Sequence, residues 1–295
     1  MTAVGLIGLG HMGHGIARNV LMKGHGLIFL DHPGNRPADE ILSLGGQPAP
    51  SPAKVAGMAD AMVLCVSGTP QVEAVMTGPD GVLAALRPGT TVIDCSTSLP
   101  DSSRRMAALT QEAGGYFLDA PMTRTAQAAH EGRLNLLVGG DPEVVDAMRP
   151  LLGAFAEEIK HVGPSGAGHR MKLLHNYVSV GFIAILAEAA ALAQDAGIVP
   201  EDLVAVLQAG GGGGTALDRM VPFLTQSDRQ SMPFSITNAA KDLGYYVEMA
   251  EAAGAPAPAA HGIHRLLATA VEAGCGEATL PELAGLVGRL SPRRS

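Results

Sequence analysis

A glycine-rich turn between an apolar strand and a helix constrains the fold of this chain more than any other feature. Residues 8–13, of sequence GLGHMG, follow the apolar run 4–7 and open a helical pattern. Gly8 permits a tight turn, Gly10 lets the backbone approach a pyrophosphate, and Gly13 lets the helix pack closely on the strand. The helix N-terminus also offers N–H groups to phosphate oxygens. The segment therefore predicts a dinucleotide-binding turn made by Gly8, Leu9, Gly10, His11, Met12 and Gly13.

An acidic residue at the end of the second predicted strand extends this prediction. Asp31 lies 18 residues after Gly13, close to the spacing of about 20 at which an acid accepts hydrogen bonds from the adenosine ribose. A carboxylate at this place repels a 2′-phosphate and so favours NAD as the cofactor. NADP stays open, because His32 and Arg36 follow and could reach a 2′-phosphate.

Short apolar runs alternate with helical patterns through the first half of the chain. This alternation is typical of βαβ units on a parallel sheet that is buried on both faces. The predicted strands are residues 4–8, 26–30, 61–66, 90–95, 116–119 and 135–138.

From about residue 166 onward only helical patterns are found. The predicted helices are residues 170–195, 200–208, 216–224, 238–253, 260–273 and 280–290. We therefore predict an α/β Rossmann-type, doubly wound parallel sheet in residues 1–163, followed by an all-α C-terminal domain in residues 164–295. The second domain would serve substrate binding and oligomerisation, and a crevice is expected between the two. The five glycines 210–214 must form a loop, either a flexible connector or a bare backbone that approaches a ligand.

Composition excludes several functional classes. The formal net charge of −8 and the 3% aromatic content argue against nucleic-acid binding. Three cysteines without a CxxC pair cannot build a disulfide framework, which indicates a reducing compartment. The longest apolar stretch, residues 178–193, contains Glu188 and is short for a membrane span. We therefore expect a cytoplasmic protein without nucleic-acid or membrane partners.

Two candidate sites were considered outside the glycine-rich turn. His261 and His264 are three residues apart but have no Cys or carboxylate partner nearby in the sequence, so we predict no metal. Lys172 and Asn176 are four residues apart and share a helix face. A lysine is unusual on a helix that continues as an apolar one, although spacing alone favours an ordinary surface lysine.

Five segments, taken together and in this order, resemble motifs of the β-hydroxyacid dehydrogenase family, typified by 3-hydroxyisobutyrate dehydrogenase. The resemblance covers nearly the whole chain and changes the interpretation of Lys172. The segments are GLIGLGHMG at 5–13, DCST at 94–97, DAP at 119–121 with GRL at 132–134 and VGG at 138–140, KLLHN at 172–176, and KDL at 241–243.

The resemblance implies an NAD(P)-dependent oxidoreductase that transfers a hydride between nicotinamide and a small β-hydroxyacid or its semialdehyde. Lys172 takes the place of the family's catalytic lysine, as a general acid/base, and Asn176 that of the asparagine that holds the substrate. The ordinary lysine pKa of about 10.4 would have to be lowered by burial or by a second cation such as Lys241. The remaining cofactor-side positions implied by the resemblance are Val66, Ser67, Gln71, Thr97 and Lys241.

Two positions depart from the family pattern. The substrate loop normally contains Ser-Gly-Gly, but here reads Thr123-Arg124-Thr125, similar to the Gly-Arg-Thr loop of sulfolactaldehyde reductases. Arginine suits two-pronged recognition of an oxyanion, so we predict a pocket for a carboxylate, sulfonate or phosphonate. The alternative is that Arg124 faces solvent or pairs with a local acid such as Glu131. His175 replaces an asparagine and either orients the substrate or fills that asparagine's hydrogen-bonding place.

Two other functions were weighed against this one. Imine reduction on the same scaffold is disfavoured by Lys172, which that branch usually lacks. A non-catalytic dinucleotide-binding scaffold is disfavoured by the acidic charge and by the presence of both Lys172 and Asn176. The long apolar helix is expected to bury surface between subunits, so we predict a homodimer or homotetramer that acts on a small anionic substrate.

Overall fold

The described part of the chain divides into two compact units. In the computed structural model, which describes residues 2–290 and side chains through residue 288, the units are Met1–Lys172 and Leu173–Ser295. The extreme ends of the two predicted domains, residue 1 and residues 291–295, lie outside the described residues. The division falls inside the longest helix, beyond the boundary predicted after residue 163.

The strands of the first unit form one sheet. Its order is β3-β2-β1-β4-β5-β6-β8-β7, with β9 pairing β8. The strands are β1 Ala3–Ile7, β2 Gly26–Leu30, β3 Gln47–Ala49, β4 Ala61–Leu64, β5 Thr91–Asp94, β6 Tyr116–Asp119, β7 Met122–Thr123, β8 Leu134–Gly139 and β9 Ala156–Gly163.

Helices connect these strands and cover the sheet. Neighbouring residues of the central strands belong to different apolar clusters: Leu6 and Val63 lie in one, and Ile7 and Leu64 in the other. This alternation gives the sheet two buried faces and confirms the doubly wound fold. The helices of the first unit are α1 His11–Met22, α2 Asp39–Ser43, α3 Pro52–Met58, α4 Thr69–Thr77, α5 Pro100–Glu112, α6 Ala126–His130 and α7 Pro142–Leu152.

The second unit is helical and has its own apolar core, and it confirms the predicted all-α C-terminal region. Its core includes Ala184, Leu217, Leu243 and Leu267, one from each of four helices. The helices are α8 Ala167–Asp195, which starts in the first unit, α9 Pro200–Ala209, α10 Thr215–Gln226, α11 Ile236–Ala252, α12 Pro258–Ala270 and α13 Leu283–Leu290. The glycines 210–214 lie between α9 and α10, in the predicted loop.

Helix α8 is long and apolar enough to cross a membrane by length and composition, and 44% of its most apolar window is buried. The core helix of a soluble protein passes the same test. Six large apolar side chains of α8 are exposed in the single chain, namely Met171, Leu174, Val178, Phe182, Ile185 and Leu192.

The sequence analysis missed three strands and the antiparallel part of the sheet. The pairs among β1 to β6 are parallel, as predicted, but β8 runs antiparallel to both β6 and β7. Strands β3 and β7 contain only three and two residues. Strand β9 carries exposed charged residues and pairs with β8. None of the three shows a long apolar run, so their sequences gave no strand signal.

Candidate active site

The turn after β1 has the shape that its glycines predict. Gly8 has a φ of +102°, and a Cβ there would lie 2.2 Å from the Cys65 carbonyl oxygen. A Cβ on Gly13 would lie 1.9 Å from the Gly8 oxygen, whereas nothing lies within 4 Å of a Cβ position on Gly10. The α1 hydrogen-bond ladder begins with His14 N–H donating to the Gly10 oxygen at 2.9 Å, so the His11 and Met12 N–H groups precede it. This open cradle fits a dinucleotide phosphate.

The loops that follow neighbouring strands converge on the same edge of the sheet. Strands β2, β1, β4 and β5 are adjacent and parallel, and their carboxyl ends lead into Asp31, the glycine-rich turn, Ser67 and Thr97. The Val66 N–H donates to Ser96 Oγ at 3.0 Å, which joins two of these loops. Ligands of open α/β sheets bind outside this carboxyl edge. The structure therefore brings together most of the cofactor residues predicted within the first unit; Gln71 lies exposed in the first turn of α4.

The segment after Asp31 folds back onto the glycine-rich turn. Arg36 N–H donates to the Leu9 oxygen at 2.9 Å, and Leu9 N–H donates to Asn35 Oδ1 at 3.4 Å. The Leu9 side chain is buried, so this residue shapes the turn from within. The Arg36 guanidinium lies 3.2 Å from His11 Nδ1 and so places a positive charge beside the start of α1.

A buried polar network underlies the end of β5. The fully buried imidazole of His169 lies between Ser103 Oγ, 2.6 Å from Nδ1, and the Ser96 oxygen, 3.1 Å from Nε2. Because a carbonyl oxygen only accepts, Nε2 carries a proton. The Asp94 and Asp119 carboxylates lie 4.0 Å and 3.9 Å from the two ring nitrogens. The network joins α8 to α5 and to the loop that carries Thr97.

The two carboxylates of this network are held differently. Asp119 accepts hydrogen bonds from Gly166 N–H at 2.7 Å and His169 N–H at 2.9 Å, so it anchors the beginning of α8. Asp94 Oδ1 accepts from Ser96 N–H at 2.9 Å, but its Oδ2 has no hydrogen-bond partner among residues 2–290. Burial raises the pKa of the Asp94 carboxyl, and the nearby His169 opposes this rise only in part.

Lys172 follows His169 by three residues on α8, or nearly one helical turn. Its side chain is partly buried. Because His169 is bonded to the Ser96 oxygen and Ser96 precedes Thr97, this turn of α8 is fixed relative to the end of β5. The first unit thus holds Lys172 on the segment that is tied to the predicted nicotinamide side.

The predicted residues of the second unit form a hydrogen-bonded cluster. Asn176 is buried, and its Nδ2 donates to Asp242 Oδ2 at 2.6 Å, while its Oδ1 lies 3.0 Å from His175 Nδ1. Lys241 Nζ pairs with Asp242 Oδ1 at 2.8 Å and lies 5.3 Å from the Tyr245 ring centroid. The amide of Asn176 is therefore oriented by its neighbours, and Lys241 is held in an ion pair with Asp242.

The predicted substrate loop, residues 123–125, has a backbone shape that glycine prefers, although arginine occupies it. Arg124 has a φ of +78°, and its guanidinium pairs with Glu157 and donates to the Arg133 oxygen at 2.7 Å. The hydrogen bond that Arg124 donates to Glu157 lowers the pKa of the Glu157 carboxyl. Thr123 ends β7, and Thr125 caps α6 by accepting from Ala128 N–H at 3.3 Å.

Arg124 does pair with a local acid, which is the alternative to a ligand role, but the acid is not the predicted Glu131. The local acid is Glu157 on β9, and not Glu131, which contacts Gln127 and Arg133 instead. The ligand role of Arg124 stays a prediction. Likewise, His261 has a carboxylate neighbour that the sequence did not reveal, Glu251, at 3.5 Å.

The positioning residues Ser103 and His169 were not predicted from the sequence. Asp94, Asp119 and Asp242 lie in motifs named above but had no predicted role. An acid at the carboxyl end of a fully buried strand was the available signal, since it must find a partner inside the protein. Ser103 and His169 are 66 residues apart, so no local pattern could pair them.

Two families match nearly the whole chain. Residues 3–163 match the NAD binding domain of 6-phosphogluconate dehydrogenase. Residues 166–287 match the family described as the NAD-binding region of NADP-dependent 3-hydroxyisobutyrate dehydrogenase.

Individual proteins give the same result. The NAD-dependent L-serine dehydrogenase of Pseudomonas aeruginosa is 33% identical over 264 residues, 88% of each chain. The 3-sulfolactaldehyde reductase of Escherichia coli is 32% identical over 276 residues, 94% of this chain and 92% of the relative. Among solved structures, the 3-hydroxyisobutyrate dehydrogenase of Mycobacterium tuberculosis with L-serine superimposes with a TM-score of 0.87, at 28% identity over 97% of this chain and 99% of the other.

Proposed function

The chain belongs to the β-hydroxyacid dehydrogenase family, and from this premise we propose that it oxidises a small β-hydroxyacid, or reduces the matching semialdehyde, with Lys172 as general acid/base. That it is an NAD(P)-dependent dehydrogenase acting on a hydroxyl group follows from the family and its relatives. The observation that carries the proposed site is the bond from His169 to the Ser96 oxygen, which fixes the turn of α8 bearing Lys172 to the loop bearing Thr97.

The residues around the glycine-rich turn suit a dinucleotide. The first-turn N–H groups of α1 would donate hydrogen bonds to the phosphates, and Asp31 would accept hydrogen bonds from the adenosine ribose. Bound NAD(P) supplies the hydride acceptor or donor. We propose NAD as the preferred cofactor because of Asp31, while the guanidinium of Arg36 beside His11 keeps NADP possible.

Lys172 would exchange a proton with the substrate oxygen. Oxidation needs a base that takes the alcohol proton, and reduction needs an acid that returns it to the carbonyl oxygen. The Lys172 side chain is partly buried. Asn176, whose amide is oriented by Asp242, would hold the substrate by a hydrogen bond.

The acid group of the substrate would contact the loop 123–125. Two sources of recognition are available there: the Arg124 guanidinium, if it leaves Glu157, and the backbone N–H groups that a left-handed residue exposes. The relatives named for L-serine and 3-sulfolactaldehyde both act on three-carbon compounds with an anionic end. We propose a substrate of that size bearing a carboxylate or sulfonate.

Subunit association is proposed from the exposed apolar face of α8. Val178, Phe182 and Ile185 recur at helical spacing and Leu192 continues the face, and each is more than 45% exposed in the isolated chain. A second copy of the chain would cover them, as expected for a homodimer or homotetramer. We also propose a cytoplasmic location, where the three free cysteines stay reduced.

A substrate screen tests the proposed function. Three- and four-carbon aldehydes and hydroxyacids with carboxylate, sulfonate or phosphonate groups are assayed with both cofactors by absorbance of the reduced nicotinamide. We expect turnover of at least one carboxylated or sulfonated compound, with NAD(H) preferred. Turnover of cyclic imines alone, or NADH binding without any turnover, would contradict the proposal and favour an imine reductase or a scaffold protein.

A further inference from the structure

Three side chains of metal-ligating type converge on the surface of α1. His14 on α1, Glu40 on α2 and His130 at the end of α6 each place one ligand atom within 4.8 Å of the other two. None of them was assigned a role by the sequence analysis, which predicted no metal. The three residues are far apart in the sequence, so only the fold brings them together.

The chemistry of this cluster suits a borderline-soft divalent cation. Imidazole nitrogen and carboxylate oxygen bind zinc at about 2.0–2.2 Å, so tetrahedral ligands lie roughly 3.4 Å from each other. His14 Nε2 and Glu40 Oε2 are 3.8 Å apart. Small side-chain rotations would therefore bring the atoms to ligand spacing. We propose that His14, Glu40 and His130 form a binding site for a divalent transition-metal cation of the zinc class.

Arg18 presents the carboxylate to this site. Its Nε donates to Glu40 Oε1 at 2.9 Å, which leaves Oε2 on the side of His14. Its Nη1 also contacts the His130 oxygen at 3.4 Å. One guanidinium thus holds two of the ligand residues, in the manner of the outer hydrogen bonds that orient metal ligands. The same positive charge weakens cation binding, so the site is expected to bind more weakly than a closed four-ligand zinc site.

The packing beneath the ligands is already fixed. Helices α1 and α6 touch so closely that a Cβ on Gly15 would lie 2.5 Å from the Ala129 carbonyl carbon. Asn19 Nδ2 also donates to the Ala129 oxygen at 2.9 Å and the His130 oxygen at 3.0 Å. His14 and His130 therefore project from two helices whose spacing is preset, and little ordering remains for the cation to impose.

Space for the remaining ligands lies beside the cluster. A cavity of about 250 Å³ is lined by His11, His14, Arg36, Gln127 and His130. Water can enter it and complete a three-residue coordination sphere. The Arg36 guanidinium lies 3.2 Å from His11 Nδ1, and its positive charge also acts on His14 of the cluster. A bound cation would join α1 to α6, the helix that follows the loop 123–125, and would stabilise the first unit by mass action.

Cation titration of the tag-free protein tests the proposal without any assay of turnover. Zn²⁺ binding is followed by calorimetry, Co²⁺ binding by its visible absorption, and unfolding by circular dichroism with and without Zn²⁺. We expect one cation per chain and a raised Tm. His14→Ala and His130→Ala are each expected to weaken binding by at least about 10- to 100-fold, the loss seen even for outer partners of a metal site.

His261→Ala is the matched control. His261 also faces a carboxylate, Glu251 at 3.5 Å, but it is not part of the three-group cluster. Its variant is expected to bind Zn²⁺ as the unmodified chain does. Glu40→Gln, which keeps the shape of the side chain, is expected to bind more weakly. Absence of binding by the unmodified chain, or equal binding by the His14 and His130 variants, would overturn the proposal.

Discussion

Replacement of Ser103 by alanine probes the buried network that fixes α8. In the structure the Ser103 hydroxyl lies 2.6 Å from His169 Nδ1, and both groups are buried. Because Nε2 donates to the Ser96 oxygen, the other ring nitrogen, Nδ1, depends on Ser103 Oγ for its own hydrogen bond. Ser103→Ala leaves that nitrogen without this partner in a place closed to bulk water.

The size of the effect follows from this loss. A buried polar atom left without its partner destabilises the folded state by about 1–3 kcal/mol. The higher helix propensity of alanine in α5 offsets a few tenths of a kcal/mol of this loss of stability. The net loss should lower the Tm by roughly 2–4 °C for each kcal/mol.

Ser102→Ala is the matched control. Ser102 precedes Ser103 on α5, and its Oγ donates to Glu73 Oε1 at 2.7 Å. Glu73 is partly exposed and also pairs with Arg105, so water and that arginine replace the lost bond. The propensity gain is similar for both variants, which leaves the network as their main difference.

Urea unfolding followed by far-UV circular dichroism is the suitable assay, because the chain has no Trp. We expect Ser103→Ala to be less stable than Ser102→Ala by about 1–2 kcal/mol. Equal stability of the two variants would refute the argument that His169 is held by Ser103.

Three further predictions concern the loop, the buried acid and the cofactor. Arg124→Gly and Arg124→Ala both lose the Glu157 ion pair, but only glycine adopts the φ of +78° without strain. Thermal unfolding should therefore show the glycine variant to be more stable than the alanine variant by about 1 kcal/mol. Equal stability of the two variants would contradict a strained loop. Burial raises the pKa of the Asp94 carboxyl in the folded chain. Stability is therefore lost as the pH rises from the pKa of Asp94 in the unfolded chain through its higher pKa in the folded chain. Asp94→Asn should therefore be more stable than the unmodified chain at neutral pH and lose that advantage in acid. Denaturation at both pH values measures the difference, and an advantage that is larger in acid would contradict the prediction. Asp31→Ala should weaken NAD⁺ binding about tenfold, which is the effect of losing one charged hydrogen bond, and should weaken NADP⁺ binding less. Calorimetry measures both affinities, and an equal loss of affinity for the two cofactors would rule out a contact of Asp31 with the ribose.

The sequence could predict the parts of the fold that depend on local pattern. Gly8 needs a positive φ and Gly13 a close approach to the Gly8 oxygen, and both requirements act within a few residues. Strand β4 is a continuous apolar run, and its short length favours a buried strand over a helix. Asp31 was found because its distance from the turn is set by one helix and one strand.

Pairings across long sequence distances could not be predicted. Arg124 meets Glu157 only because strand β9 lies beside β8, and the polar sequence of β9 gave no strand signal. His14 and His130 meet because the short helix α6 packs on α1. Such contacts are set by tertiary packing, which a single sequence does not display.

The central claim is that Lys172 moves the proton of the reaction. The direct test is the single-turnover rate of hydride transfer by Lys172→Ala, with substrate and cofactor saturating, beside the exposed-lysine control Lys160→Ala. NADH affinity, measured by the fluorescence of the bound cofactor, should be unchanged in both variants. We expect the Lys172 variant to be slower by about 10²–10⁴-fold, the usual contribution of a general acid or base. A rate close to that of the Lys160 variant, at equal NADH affinity, would contradict the account.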